Sequence, residues 1–331
     1  MKVSVLGAGS WGTTVATLCA GRHDVRLWAR DEDVADEIRS EHRNSRYLPD
    51  FELPESLDAT HDLEAAVSDA HLVVVGVPSH AFRSTLDAAK PFIHPWIPVV
   101  SLTKGIEEES LLRMTEVIRD VLPGHPAAAL SGPNLAKEIM AGQAAASVIA
   151  TEDLQVAAAL QHVFQCGLFR VYTNHDVIGC EMGGALKNVI AIAAGMAQGL
   201  ATGDNTRSAV ISRGLSELSR LGEAMGGEPA TFAGLAGLGD LVATCVSTHS
   251  RNRYVGEQLG AGRAIGDILD EMNMVAEGVK TARITHVFAE RYDLDLPICE
   301  SVYKVVTGVA RGEDAYAGLL TQRAGHESEP G

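Results

Sequence analysis

Short, continuous apolar runs separated by amphipathic stretches fill the first half of the chain, and longer apolar stretches with helical spacing fill the second. The runs at Val3 to Leu6, Val25 to Trp28, Leu72 to Val77, Val99 to Leu102, Ala127 to Leu130 and Ala146 to Ala150 predict strands. The segments between them are long enough for crossover helices, so the expected architecture is an α/β, doubly wound parallel sheet. From about Asp176 the strand-like runs stop. Met182 to Leu200 and Ser208 to Met225 carry apolar residues at three- and four-residue spacing, and Gly226-Gly227 punctuates the second. The expected organisation is a sheet domain over 1–175, an all-α domain over 176–323 and a polar, proline-tipped tail over 324–331, read as disordered.

The first strand runs directly into Gly7-Ala8-Gly9-Ser10-Trp11-Gly12 and then into the apolar helix face of Val15, Ala16, Leu18 and Cys19. A GxGxxG string alone is weak, and a glycine-rich turn is its plain reading. Between a strand and a helix it predicts dinucleotide binding: Gly7 for the tight turn, Gly9 for approach of the pyrophosphate, and Gly12 for helix-on-strand packing. An acidic residue at the end of the second strand would bind the ribose diol of NAD. Here that stretch reads Leu27-Trp28-Ala29-Arg30-Asp31, so the first charge is a cation able to pair with a 2′-phosphate. NADP(H) is therefore favoured, with NAD(H) left open because Asp31 follows at once; the plain reading of Arg30 is a solvated charge. Two further strand ends, Gly76-Val77-Pro78-Ser79 and Thr103-Lys104-Gly105, lie where open α/β sheets bind ligands.

Composition narrows the partners. A formal charge of −16 over 331 residues, with no basic run, argues against nucleic acid and for a small molecule. No signal peptide and no stretch of eighteen apolar residues is evident, so no transmembrane segment is expected and the chain reads as cytoplasmic. The five cysteines, Cys19, Cys166, Cys180, Cys245 and Cys299, are scattered. They suggest neither a disulfide framework nor a metal site and are expected to be buried small apolar residues.

In the second half, Lys187 has Gly183, Gly184, Ile190 and Ala191 as its helical neighbours. A lysine on so bare a face either snorkels outward or is buried with a partner, and the second state suits a proton donor. Gly234 to Gly239 form a glycine-dense loop presenting Asp240, a candidate partner for Lys187, with Thr244 beyond it. Ser250 followed by Arg251 and Asn252 reads as a helix start suited to an anion such as phosphate. Taken alone, the same string fits a flexible loop before a capped helix.

Seven motifs in one order carry a resemblance: Gly7 to Gly12, Lys104-Gly105, Ser131-Gly132-Pro133-Asn134, Gly184-Ala185-Leu186-Lys187-Asn188, Gly237 to Leu241, Ser250-Arg251-Asn252 and Ala276-Glu277-Gly278. To about residue 320 the chain resembles the bacterial NAD(P)-dependent sn-glycerol-3-phosphate dehydrogenases. The resemblance implies a Rossmann-like domain followed by a helical domain. It also implies reversible reduction of dihydroxyacetone phosphate to sn-glycerol 3-phosphate, for phospholipid synthesis and without a metal. By matching position, Lys187 would be the proton donor in reduction, Lys104 would touch cofactor and substrate, and Asp240 would complete the catalytic set. Gly132, Asn134, Asn188, Thr244, Ser250, Arg251 and Asn252 would line the substrate site. Ser10, Trp11, Arg30, Ala136, Arg251, Val275 and Glu277 would contact the cofactor. Asn134 departs from relatives carrying Thr or Ser there. A β-hydroxyacid dehydrogenase or ketopantoate-type reductase is the alternative enzyme, and a non-catalytic NADP(H) redox sensor the alternative of another class. A homodimer through the glycine- and alanine-rich helices is one expectation for those faces, internal core the other.

Overall fold

A computed structural model describes residues 1–272 and 275–320. The polar tail expected from Ala324 lies outside the described residues. By its internal contacts the chain divides into two units, Met1–Val177 and one beginning at Ile178.

The first unit alternates strand and helix: β1 (Lys2–Leu6), α1 (Ser10–Ala20), β2 (Asp24–Trp28), α2 (Glu32–Glu41), β3 (Leu57–Thr60), α3 (Leu63–Val67), β4 (Leu72–Val75) and α4 (Ser79–Ala89). It continues with β5 (Val99–Ser101), α5 (Met114–Val121), β6 (Ala127–Ser131), α6 (Ala136–Met140), β7 (Ala145–Ala150), α7 (Leu154–Phe164) and β8 (Phe169–Asn174). The strands form one sheet in the order β3-β2-β1-β4-β5-β6-β7-β8. Successive side chains enter opposite cores. Val3, Val5, Leu72 and Val74 join one cluster, and Leu6, Val73 and Val75 the other. Helices on both faces therefore leave the strands apolar throughout, which makes most of them visible in the sequence.

The sheet departs from the all-parallel expectation at one place, because β6 and β7 pair antiparallel. The connection between them holds only the five-residue α6. At 1.5 Å per residue such a helix spans about 7.5 Å, too short to carry the chain back along the sheet for a parallel return. Strands β3 and β8 lie outside the predicted set. β3 has four residues and includes Asp58, while β8 alternates buried Phe169 and Val171 with exposed Arg170 and Tyr172.

The second unit contains α8 (Val177–Gly199), α9 (Asp204–Ala224), α10 (Pro229–Phe232), a π-turn over Leu235–Gly239, α11 (Asp240–Val246), α12 (Arg251–Gly260), α13 (Ile265–Asp270), α14 (Glu277–Arg291), α15 (Pro297–Val306) and α16 (Gly312–Leu320). By length and composition α8 and the segment Pro229–Val246 could each cross a bilayer, but α8 is 94% buried, which marks it as a core helix. Its packing against α12 is main chain on main chain. Built onto Gly256, a Cβ would meet the Ile192 carbonyl oxygen at 2.0 Å, and built onto Gly260 it would meet that of Met196 at 2.4 Å. Gly195 and Gly199 face the carbonyls of Arg253 and Glu257 at 2.2 Å in the same sense. The two helices therefore run parallel with a constant offset of residues. The small-residue face that α8 turns toward α12 is packed inside this unit.

Candidate active site

In the first unit the glycine loop sits where the strand order reverses, between β1 and β4. Gly7 has φ +116, and a Cβ there would collide with the Gly76 main chain at 2.9 Å. Its N–H donates to the Trp28 carbonyl at 3.0 Å, which ties the loop to the end of β2. At Gly12 a Cβ would meet the Gly7 carbonyl oxygen at 2.0 Å. At Gly9 nothing lies within 4 Å, so the face toward which a pyrophosphate would come is open. The first helical bond of α1 runs from Thr13 N–H to Gly9 O, which places the N–H groups of Ser10, Trp11 and Gly12 ahead of it as anion donors. A turn and a helix start shaped in this way fit a dinucleotide. The Trp11 ring packs edge-on to Phe169, and its Nε1 is buried without a partner among the described residues.

The loop is braced by residues that the sequence does not single out. Fully buried Asn44 donates from Nδ2 to Ala8 O and to Thr13 Oγ1, both at 2.9 Å. Its Oδ1 accepts from Tyr47 N–H at 3.3 Å, and Ser10 Oγ donates to the Tyr47 carbonyl at 3.0 Å. The signal for this is thin: one asparagine in a polar loop, far in sequence from the glycines.

At the next strand ends, Thr103 Oγ1 donates to Val77 O at 2.6 Å and Lys104 Nζ to Gly132 O at 2.6 Å. Gly132 has φ +133 and leaves only 3.1 Å between a would-be Cβ and the main chain of Ala146 and Ser147, so this turn excludes other residues. Asn134 Oδ1 accepts from Ser147 Oγ, while its Nδ2 is buried without a partner among the described residues. Ala136, half-buried, opens α6. Arg30 is largely exposed and faces Asp31 at 3.5 Å.

In the second unit, Lys187 on α8 is buried, and its ammonium donates to Asp240 Oδ1 and, at 2.7 Å, to Thr244 Oγ1. Thr244 Oγ1 donates in turn to the Asp240 carbonyl at 2.6 Å, one helical turn back. The close fit comes from the glycines. A Cβ on Gly183 would meet the Ala236 carbonyl oxygen at 2.7 Å, so α8 lies directly on the π-turn that presents Asp240. The alternative that Lys187 snorkels to the surface is excluded.

Ser250 caps α12, its side chain accepting from Arg253 N–H at 3.2 Å. Asn252 Nδ2 donates to Asn188 Oδ1 at 2.9 Å, and Asn252 Oδ1 accepts from Gly278 N–H at 3.0 Å. These bonds join α8, α12 and α14 beside Lys187. Arg251 Nη1 donates to the Val275 carbonyl at 2.5 Å, and half-buried Glu277 begins α14. Lys187, Asp240 and Thr244 thus form one buried hydrogen-bonded group and Asn188 and Asn252 another, from adjacent positions on α8, while buried Ser250 caps α12 and Arg251 bonds the Val275 carbonyl.

Family models described as the N-terminus and C-terminus of NAD-dependent glycerol-3-phosphate dehydrogenase match residues 2–157 and 176–317. The chain belongs to the NAD-dependent glycerol-3-phosphate dehydrogenase family. Within it, the chain is 54% identical to glycerol-3-phosphate dehydrogenase (NAD(P)+) 2 of Sphingopyxis alaskensis, over 100% of this chain and 99% of the relative. It is 52% identical to glycerol-3-phosphate dehydrogenase (NAD(P)+) of Mycobacterium avium, over 98% and 96%. The crystal structure of glycerol-3-phosphate dehydrogenase from Coxiella burnetii superposes with a TM-score of 0.93 at 36% identity, covering 97% of this chain and 99% of that one. A ketopantoate reductase from Ralstonia eutropha shares the fold alone, with a TM-score of 0.60 at 17% identity.

Proposed function

We propose that the chain catalyses the reversible NAD(P)H-dependent reduction of dihydroxyacetone phosphate to sn-glycerol 3-phosphate, the precursor of glycerophospholipids. The observation that carries the reading is Lys187, a buried ammonium held by Asp240 and Thr244 beside the capped start of α12. The chemistry that NAD(P)H brings when bound is hydride transfer. Gly7, Gly9 and Gly12, with the main chain of Ser10 and Trp11, would hold its pyrophosphate, and Arg30 its adenosine end.

As hydride reaches the carbonyl carbon, Lys187 gives a proton to the carbonyl oxygen, and in oxidation it takes that proton back. Asp240 pairs with the buried amine and, with Thr244, fixes where Nζ points. Lys104, whose ammonium donates to the Gly132 carbonyl, is the cation the resemblance assigns to cofactor and substrate. Ser250 and Arg251 bind the substrate phosphate, and this binding orients the reacting carbon. Asn252 and Asn188 hold that anchor in place through their mutual bond. Gly132 and Asn134 would contact the remaining polyol oxygens, the unpartnered Asn134 amide being a donor in reserve. Ala136, Val275 and Glu277 would complete the cofactor contacts.

The test is NADPH consumption with dihydroxyacetone phosphate as sole acceptor, for wild type and Lys187→Ala. Wild-type turnover with a loss of about a thousandfold in the variant supports the assignment. Intact NADPH binding without turnover would transfer the reading to a cofactor-sensing protein.

A further inference from the structure

We propose that Arg46 is a second cation of the subsite for the 2′-phosphate of NADP(H) and makes this chain select NADPH over NADH. The inference rests on the dinucleotide reading of the first unit and concerns its adenosine end.

Arg46 lies fifteen residues beyond Asp31, yet Nη1 reaches Asp31 Oδ2 at 2.5 Å. On the other side of the same carboxylate, Arg30 Nε lies 3.5 Å from Oδ1. Each carboxylate oxygen therefore faces one guanidinium. Asp31 is the first acidic residue after β2 and the natural candidate to accept the two hydroxyls of an NAD ribose, a task that needs both oxygens. Bracketed by two arginines, it is a poor acceptor for a diol. The three side chains together carry one net positive charge, in a chain whose overall charge is −16.

The pair can also turn toward a phosphate. Arg30 and Arg46 are 79% and 56% exposed, and pairs so open to water contribute little on their own. Exchanging a carboxylate for a dianionic phosphate retains the charge pairing and adds a second negative charge for the two guanidiniums to share.

Arg46 is held in register with the pyrophosphate loop by main-chain and buried contacts. Its neighbour Tyr47 gives its carbonyl to Ser10 Oγ and its N–H to Asn44, and Asn44 is bonded to Ala8 and Thr13. The Arg46 guanidinium lies 5.5 Å over the Tyr47 ring. The end of β2, which delivers Arg30, is bonded to the same loop through Gly7 N–H and Trp28 O. Two arginines distant in sequence are thus referenced to one set of glycines.

The experiment compares wild type, Arg46→Gln and Arg46→Lys by calorimetric titration with 2′,5′-ADP and with 5′-AMP, beside kcat/KM for NADPH and NADH. Arg46→Gln is expected to weaken 2′,5′-ADP and lower kcat/KM for NADPH about tenfold, with 5′-AMP and NADH within about twofold and Arg46→Lys in between. Equal losses on both nucleotides would make Arg46 a mere support of the turn and overturn the proposal, as would no change on either. Absence of turnover with any cofactor would remove the reaction proposed above while the titrations still decided the role of Arg46.

Discussion

Two buried carboxylates in the helical unit meet opposite fates. Asp240 has a cation against it, whereas Glu217 on α9 has none within its bonds and instead accepts the N–H groups of Ile298 and Cys299 at 2.8 and 3.0 Å, capping the start of α15. Burial pushes the Glu217 carboxyl above its ordinary value of 4.5, against the pull of those two N–H donors, of the Cys299 thiol and of the Arg220 charge. The folded chain then binds that proton more tightly than the unfolded one. Stability linked to Glu217 is greatest below the ordinary value and is lost as pH rises through the elevated one. Glu217→Gln removes this titration, so the Tm difference between variant and wild type is expected to shift toward the variant from about pH 5 to about pH 8. A difference that stays constant with pH would refute the elevated value. Sequence shows the chemistry-bearing residues of this unit because bare lysines and clustered glycines are costly without a purpose. Glu217 is invisible there, since a carboxylate in an amphipathic helix looks like any solvated one until its partner helix is placed.

At the level of elements, the contact between α8 and α12 brings four glycines against main-chain atoms of the facing helix. Gly256→Ala would drive a methyl into the Ile192 carbonyl, so the helices must separate, at a cost of about 1–3 kcal/mol. Gly266 in α13 has nothing within 4 Å of a would-be Cβ, and Gly266→Ala is expected to be neutral or stabilising by up to about 1 kcal/mol. Chemical denaturation of both variants checks the contrast, and equal effects would show that the contact is not close. Apolar periodicity reveals that α8 and α9 exist, with starts at Val177 and Asp204, four or five residues ahead of expectation. It does not reveal their partners. The same principle hides β3 and β8, because an edge strand buries one face and its alternating polar residues break the continuous run that marks the inner strands.

Over the whole molecule the thiols follow burial. Four of the five cysteines are buried as expected, but Cys166, in the turn between α7 and β8, is only half-buried. Burial pushes the Cys19 and Cys245 thiols up to about 12 and raises Cys299 as well. Alkylation of the native protein near pH 8 should therefore add a single label, at Cys166, and unfolding should expose all five; labelling of Cys245 in the native state would contradict the packing around Lys187. The inner strands of the sheet are legible in the sequence because each declares itself as a continuous apolar run, while their order comes from the fold and the reversal at β7 depends on the length of α6, which sequence leaves undefined. The parallel offset of α8 and α12 has a further effect. Asn188 meets Asn252, Ile192 meets Gly256 and Met196 meets Gly260, a spacing of four on both helices. Sliding by one turn would displace the start of α12 from Lys187 by about 5.4 Å. In the reaction proposed here, the pair of helices therefore works as a gauge: it measures the distance from phosphate to carbonyl in the backbone itself, so that chain length in the substrate is judged by a part of the protein that no single side chain can adjust.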